Sequence, residues 1–248
     1  MVQEEEIGVI RDLEDNFKIK RVICVDCDEE KVGPADVSVS KVWIGDADTV
    51  GGASRVKGNY DLKVIFSEAK DKSDFELALE IARNLSYFDF ESSEWVNNFF
   101  VLGAVGGRLD HEMFNLGVVW RLFTGDVVLR DRVSSSRLPS SVQHLKNLHL
   151  RVSFLGITDR GRWYALLFFD QKISFYHRGT FSFLALEEVF VRIDGRCRWR
   201  YEGYASFFNS LTLSNEASGR VYVSAQKGAI YVEFDDKKGL LEFLRDIK

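Results

Sequence analysis

Cysteine and proline are both scarce in this chain, with three of the first (Cys24, Cys27, Cys197) and two of the second in 248 residues. Three thiols cannot build a disulfide framework, so the fold must rest on its apolar core. Long hydrophobic runs are missing as well. No stretch free of Asp, Glu, Lys and Arg exceeds the 13 residues from Trp95 to Gly107, whereas a membrane-spanning helix needs about 20 apolar residues. Positive charge is in deficit: 33 Lys and Arg against 38 Asp and Glu leave a net charge of −5. A basic nucleic-acid surface is therefore not indicated. The N-terminus, Met1-Val-Gln-Glu-Glu-Glu, is acidic where a secretory leader would be basic. The expectation is a cytoplasmic globular protein with neither a membrane nor a nucleic acid as partner.

Apolar residues are plentiful, at 46% of the chain, which excludes intrinsic disorder. Their pattern divides the sequence in two. From about residue 20 to 131, short apolar runs (Arg21–Asp26, Lys41–Gly45, Lys63–Phe66, Phe99–Ala104, Val127–Leu129) alternate with helical periodicity. Runs of that kind suit strands buried on both faces of a parallel sheet. Phe75, Ala78, Leu79, Ala82 and Leu85 recur at spacings of three and four, and Ser73 with Glu76 forms a capping box, so a helix is expected from Ser73–Asp74. A second helix should follow Gly106-Gly-Arg-Leu-Asp110. The serine-rich stretch Val133–Val142, holding Pro139, reads as a linker. Beyond it the chain looks all-β, with short runs including Trp163–Phe169, Ile173–His177, Ser210–Leu213, Val221–Ala225 and Ile230–Phe234, then a closing helix at Leu240–Ile247. The expected architecture is α/β plus all-β: a mostly parallel α/β sheet domain over 1–135, followed by a C-terminal β-sandwich over 145–248.

Residues suited to chemistry concentrate where the first strands end. Ligands of open α/β sheets lie outside the carboxyl ends of the strands. Asp26 closes the first strand, and Asp46-Ala-Asp48 closes the second. Two carboxylates converging at a strand end suit Mg²⁺, which takes one or two carboxylates plus substrate phosphates. A solvated turn is the alternative for Asp46 and Asp48, simple helix capping for Asp74, and a solvated charge run for Lys70-Asp-Lys72. The segment Leu102–His111 runs from an apolar strand through glycines into a helix, a geometry that bares backbone N–H groups to an anion. Arg108 adds a fork of donors, Asp110 lies at the helix start, and His111 and Asn115 share a face. Cys24 and Cys27 fall on opposite faces of a strand, which argues against a redox pair. His144, His149 and His177 show no metal-ligand spacing and read as surface or interface residues.

Together these segments resemble the thiamine pyrophosphokinase family. The matching stretches are Gly45-Asp46-Ala47-Asp48-Thr49, Asp71-Lys72-Ser73-Asp74, Gly106-Gly107-Arg108-Leu109-Asp110-His111 with Asn115, and Ser214-Asn215-Glu216 in the β half. The resemblance implies an enzyme that transfers the pyrophosphoryl group of ATP to the hydroxyl of thiamine, giving thiamine diphosphate and AMP, with Mg²⁺ as cofactor and a homodimer as the assembly. It implies that Asp46, Asp48, Asp74 and Asp110 surround the metal and the triphosphate. Asp26, Thr49, Lys72, Ser73, Arg108, His111 and Asn115 would complete the nucleotide site. Ser214, Asn215, Trp199 and Ser182 would meet thiamine. Trp199 offers either an aromatic face for a cation or core packing. Cys27-Asp28 replaces two glycines of the family pattern after Asp26, and Arg198 and Arg200 flank Trp199. These departures motivate two alternatives: a pyrophosphokinase for another small alcohol, and a non-catalytic thiamine- or nucleotide-binding protein of the same fold.

Overall fold

A computed structural model describes residues 4–17, 19, 21–25, 40–45, 60–66, 71–87, 96–105, 108–124 and 149–247. The chain forms two compact units, Met1–Glu91 and Ser92–Lys248. The expected linker at Val133–Val142 and the run Val127–Leu129 lie outside the described residues.

The first unit opens with helix α1 (Glu4–Phe17), which buries Val9 and Leu13. Strands β1 (Arg21–Val25), β2 (Ser40–Gly45) and β3 (Leu62–Ile65) follow, then helix α2 (Asp74–Tyr87). The strands form a parallel sheet in the order β1-β2-β3, with Cys24 opposite Trp43 and Ile44 opposite Val64. β2 is central, and both of its faces are covered: Trp43 and Ile44, which point to opposite sides, are each fully buried. Val42, Ile44 and Ala78 of α2 make a small core joined by Ile23, Val25, Val64, Phe66 and Ile81. The start expected for α2 is the one observed. The Glu76 N–H donates to the Ser73 hydroxyl at 3.1 Å, and the Leu77 N–H closes the first helical turn on the Ser73 carbonyl at 3.0 Å.

The second unit contains β4 (Val96–Leu102), α3 (Leu109–Thr124), β5 (His149–Ile157), β6 (Trp163–Leu184), β7 (Val189–Cys197), β8 (Tyr201–Ala205), β9 (Asn215–Phe234) and α4 (Lys237–Asp246). Its sheet runs β4-β5-β6-β9-β7-β8, parallel between β4 and β5 and antiparallel elsewhere. A mostly parallel α/β sheet followed by a larger β domain is thus the architecture, as the hydrophobic pattern suggests. One strand sits differently. Phe99–Ala104, expected beside the first strands, pairs with β5 in the second sheet, because the adjoining partner that satisfies its backbone is His149–Leu155.

Two strands are longer than their sequence implies. β6 joins the runs around Trp163–Phe169 and Ile173–His177 through a bulge at Gln171, whose φ is +68°. β9 joins Val221–Ala225 to Ile230–Phe234 and alternates buried and exposed residues along most of its length. The two strands pair twice. Ala229–Val232 faces Ala165–Phe168 on one side and Phe181–Leu184 on the other, so β6 wraps around β9. Phe154, Phe168, Phe175, Phe181, Phe183, Ile193 and Ile230 fill the interior. Helix α4 is capped by Asp236, whose carboxylate accepts from the Gly239 N–H at 2.8 Å, and it buries Leu240, Leu241, Phe243 and Leu244. Ser210–Leu213 forms a turn rather than the expected strand, since Thr212 alone of the four is buried, tied to Phe183 by both backbone and hydroxyl. His177, expected at a surface, is buried at 7% exposure against the rings of Phe234 and Phe243. That burial pushes its imidazole below the usual histidine range.

Candidate functional site

Of the phosphate-side residues expected in the first unit, Asp26, Asp46, Asp48 and Thr49 lie outside the described residues. Lys72, Ser73 and Asp74 are described. Ser73 serves as the N-cap of α2, and Asp74 opens that helix, where a carboxylate meets the positive end of the helix dipole. The Lys72 ammonium pairs with Glu80 further along the chain.

The remaining phosphate-side residues cluster at the start of α3. β4 ends at Leu102, Gly103 turns with φ +72°, and the first helical hydrogen bond runs from the Glu112 N–H to the Arg108 carbonyl at 3.0 Å. The Arg108 guanidinium grips Asp110 with two hydrogen bonds, Nη2 at 2.6 Å and Nε at 3.1 Å. Both side chains are largely in solvent. That grip holds the Asp110 carboxyl below the usual carboxylate range, and the carboxylate in turn raises Arg108. Asn115 donates from Nδ2 to the Ala104 carbonyl at 3.0 Å, fastening the helix to the loop before it, and His111 is exposed. Gly106 and Gly107 lie outside the described residues. The expected metal donors are all carboxylates, the oxygen chemistry that Mg²⁺ prefers. Among the described residues no three His, Cys, Asp or Glu side chains gather as a metal site, and two of the four expected donors fall outside that set.

The four residues expected around the acceptor come together in the second unit. Ser214, at φ +53°, donates its N–H to the Ser182 hydroxyl at 3.0 Å. Its neighbour Asn215, 4% exposed, clamps the backbone of Trp199 in both directions. Asn215 Oδ1 accepts from the Trp199 N–H at 3.1 Å, and Nδ2 donates to the Trp199 carbonyl at 2.7 Å. Oδ1 also accepts from the Glu216 N–H at 2.9 Å. The two β elements are thereby joined at one point, with the serines on one side and the indole on the other. Trp199 is 49% exposed, so it is not core packing. The Arg198 guanidinium lies 4.6 Å from the centre of its ring and is itself bound to Glu216 at 3.1 Å. Sequence reasoning noted the Arg-Trp-Arg run, yet the stacked cation emerges only from the β7–β8 turn geometry. Cys197, at the end of β7, has its thiol raised by burial and points its sulfur at the Trp199 carbonyl.

Residues 16–129 match the family model described as thiamin pyrophosphokinase, catalytic domain. That segment, just under half of the chain, is where the family likeness lies. Among solved structures, a thiamin pyrophosphokinase family protein from Enterococcus faecalis is 17% identical, with a TM-score of 0.56 over 87% of this chain and 88% of its own. Thiamin pyrophosphokinase from Candida albicans is 14% identical, with a TM-score of 0.55 over 88% of this chain and 83% of its own. At those identities the likeness is one of fold. No curated protein matches the chain. The thiamin pyrophosphokinase match spans Asp46, Asp48, Asp74 and Asp110, and hence every expected metal donor. The acceptor cluster at Ser182, Trp199, Ser214 and Asn215 lies beyond it. No described helix is long and apolar enough to cross a membrane.

Proposed function

We propose that this protein is a magnesium-dependent thiamine pyrophosphokinase that works as a cytoplasmic homodimer. Residues 1–135 carry the nucleotide half and residues 145–248 the acceptor half. The observation that carries the reading is the hydrogen-bonded cluster of Ser182, Ser214, Asn215 and Trp199, which joins residues far apart in sequence beside an exposed aromatic face. The thiamine hydroxyl attacks the β-phosphorus of ATP, the bond from that phosphorus to the α,β-bridging oxygen breaks, and AMP departs with the electron pair. The hydroxyl proton leaves to solvent. Asp46, Asp48, Asp74 and Asp110 would hold Mg²⁺, which would neutralise charge on the triphosphate. Arg108, His111 and Asn115 with Asp26, Thr49, Lys72 and Ser73 orient the phosphates and the nucleoside. Transfer of this type depends mainly on positioning and on stabilising phosphate charge, so these groups form a sufficient set.

One observation favours a second reading. Arg198 occupies a face of Trp199 that a cationic thiazolium would use, which suits a neutral or anionic acceptor alcohol. Incubation with ATP, Mg²⁺ and thiamine, followed by chromatography, separates the two. Thiamine diphosphate and AMP in equal amounts support the first reading, and their absence, with AMP released on another alcohol, supports the second. Asp74→Asn should abolish turnover while the unfolding transition stays in place. Retained turnover would overturn the role given to Asp74.

A further inference from the structure

We propose that Lys227 is a positioning residue that locks α3, and with it the phosphate-side residues at its N-terminus, to the β6–β7 turn. The inference rests on the pyrophosphokinase reading. Lys227 lies on β9 opposite Asp170, where β6 bulges, and is only 9% exposed. An ammonium so deeply placed is costly unless it is compensated. Two groups compensate it. The Glu187 carboxylate in the β6–β7 turn forms an ion pair with Nζ, and the ring of Trp120 on α3 receives the ammonium 5.4 Å from its centre. Trp120 is buried at 6% exposure, and its indole N–H donates to no acceptor among the described residues. Among the described residues it is the π face of this tryptophan, not its polar edge, that meets a charged group.

One ammonium therefore joins three elements. Trp120 is on the same helix as Arg108-proximal Asp110, His111 and Asn115, and Glu187 follows directly from the end of β6 that carries Ser182. Val118, Val119 and Leu122 also press α3 into the interior. Apolar contact has no direction, so it fixes depth but not the helix's position along the sheet. A cation on a ring face and a charge-assisted pair both have direction, and they supply that missing constraint.

Lys227→Met keeps the unbranched length and removes the charge. Hydrogen exchange of the α3 amides should quicken about tenfold while the β9 amides hold their rates. In steady-state assay KM for Mg-ATP should rise about tenfold with kcat within about twofold, the pattern of lost ground-state positioning. Lys227→Arg should restore both, because a guanidinium can pair with Glu187 and stack on Trp120. If Lys227→Met fails to fold, Glu187→Gln at the half-exposed partner reads the same exchange and KM changes. Unchanged α3 exchange, or Arg behaving like Met, overturns the proposal. Wild-type protein that forms no thiamine diphosphate would overturn the functional reading instead, and the exchange experiment, which needs no substrate, would still decide on Lys227.

Discussion

Replacing Asn215 by alanine tests whether this residue is a clamp for the β7–β8 turn. The side chain makes three hydrogen bonds, to the Trp199 N–H, the Trp199 carbonyl and the Glu216 N–H, from a position 4% exposed. A typical intramolecular hydrogen bond contributes about 1 kcal/mol net, and a buried group left without its partner costs more. Trp199 is half exposed, so water recovers part of the loss at its backbone. The sum is a destabilisation of about 2–3 kcal/mol, near the upper part of the range for single substitutions. For a unit of this size that corresponds to a fall of roughly 5–10 °C in melting temperature. Differential scanning calorimetry on the full chain measures it directly. Asn215→Asp keeps the acceptor but turns a carboxylate oxygen toward the Trp199 carbonyl, so it should cost at least as much. A loss below about 0.5 kcal/mol in Asn215→Ala would refute the clamp, since that is the scale of an ordinary surface change. Calorimetric titration of the variant with thiamine supplies the second axis. Weaker binding with intact stability would make Asn215 a contact for substrate.

His177 is buried, with its imidazole held below the usual range first by burial, while its contact with the Thr180 carbonyl works the other way. The unfolded chain then binds more protons below about pH 6.5, so stability contributed by this group is present above that pH and falls as the solution becomes more acidic. Denaturant titrations at a series of pH values should show a shallower acid loss in His177→Gln than in wild type, and parallel curves would refute the assignment. Gly195 sits at φ +102°, and an added Cβ would lie 2.4 Å from the Arg220 carbonyl oxygen. Gly195→Ala should lower stability by about 2 kcal/mol or more, read in the same titration, because both strain and backbone contact oppose it.

How much of this was legible depends on the range of the interaction. The α2 start was readable because Ser73 and Glu76 are three residues apart and their bond is local. The closing helix was readable too, as Leu240, Leu241, Phe243 and Leu244 share a face. Helix α1 is not evident in the sequence although Val9, Leu13 and Phe17 recur every fourth residue, because its apolar stripe is thin and set among many charged residues. The polar triplet Asp170-Gln171-Lys172 separates two apolar runs in the sequence, yet it is a bulge inside one strand, with Asp170 and Lys172 both paired to β9. The residue types of the acceptor cluster were visible, whereas their assembly depends on Asn215 reaching Trp199 across β7 and β9. The stacking of Arg198 on Trp199 depends on turn geometry, which no periodicity encodes.

The double pairing of β6 with β9 also makes this domain depend on closures between distant parts of the chain. Ser182 lies near the end of β6 and meets Tyr231 on the edge opposite the one that meets Leu166, with both segments of β6 antiparallel to β9. Each closure joins residues distant along the chain, and such pairings are slow to form because chain entropy is lost before contacts repay it. The acceptor cluster needs two such closures, Phe181 opposite Asn215 and Cys197 opposite Ala217. A partly folded chain with the first hairpin in place would carry no acceptor site at all. Any ligand that recognises the cluster binds only the finished molecule and draws the folding equilibrium toward it by mass action. Ligand-dependent recovery of the native state during refolding would therefore report on these closures, separately from the growth of the rest of the sheet.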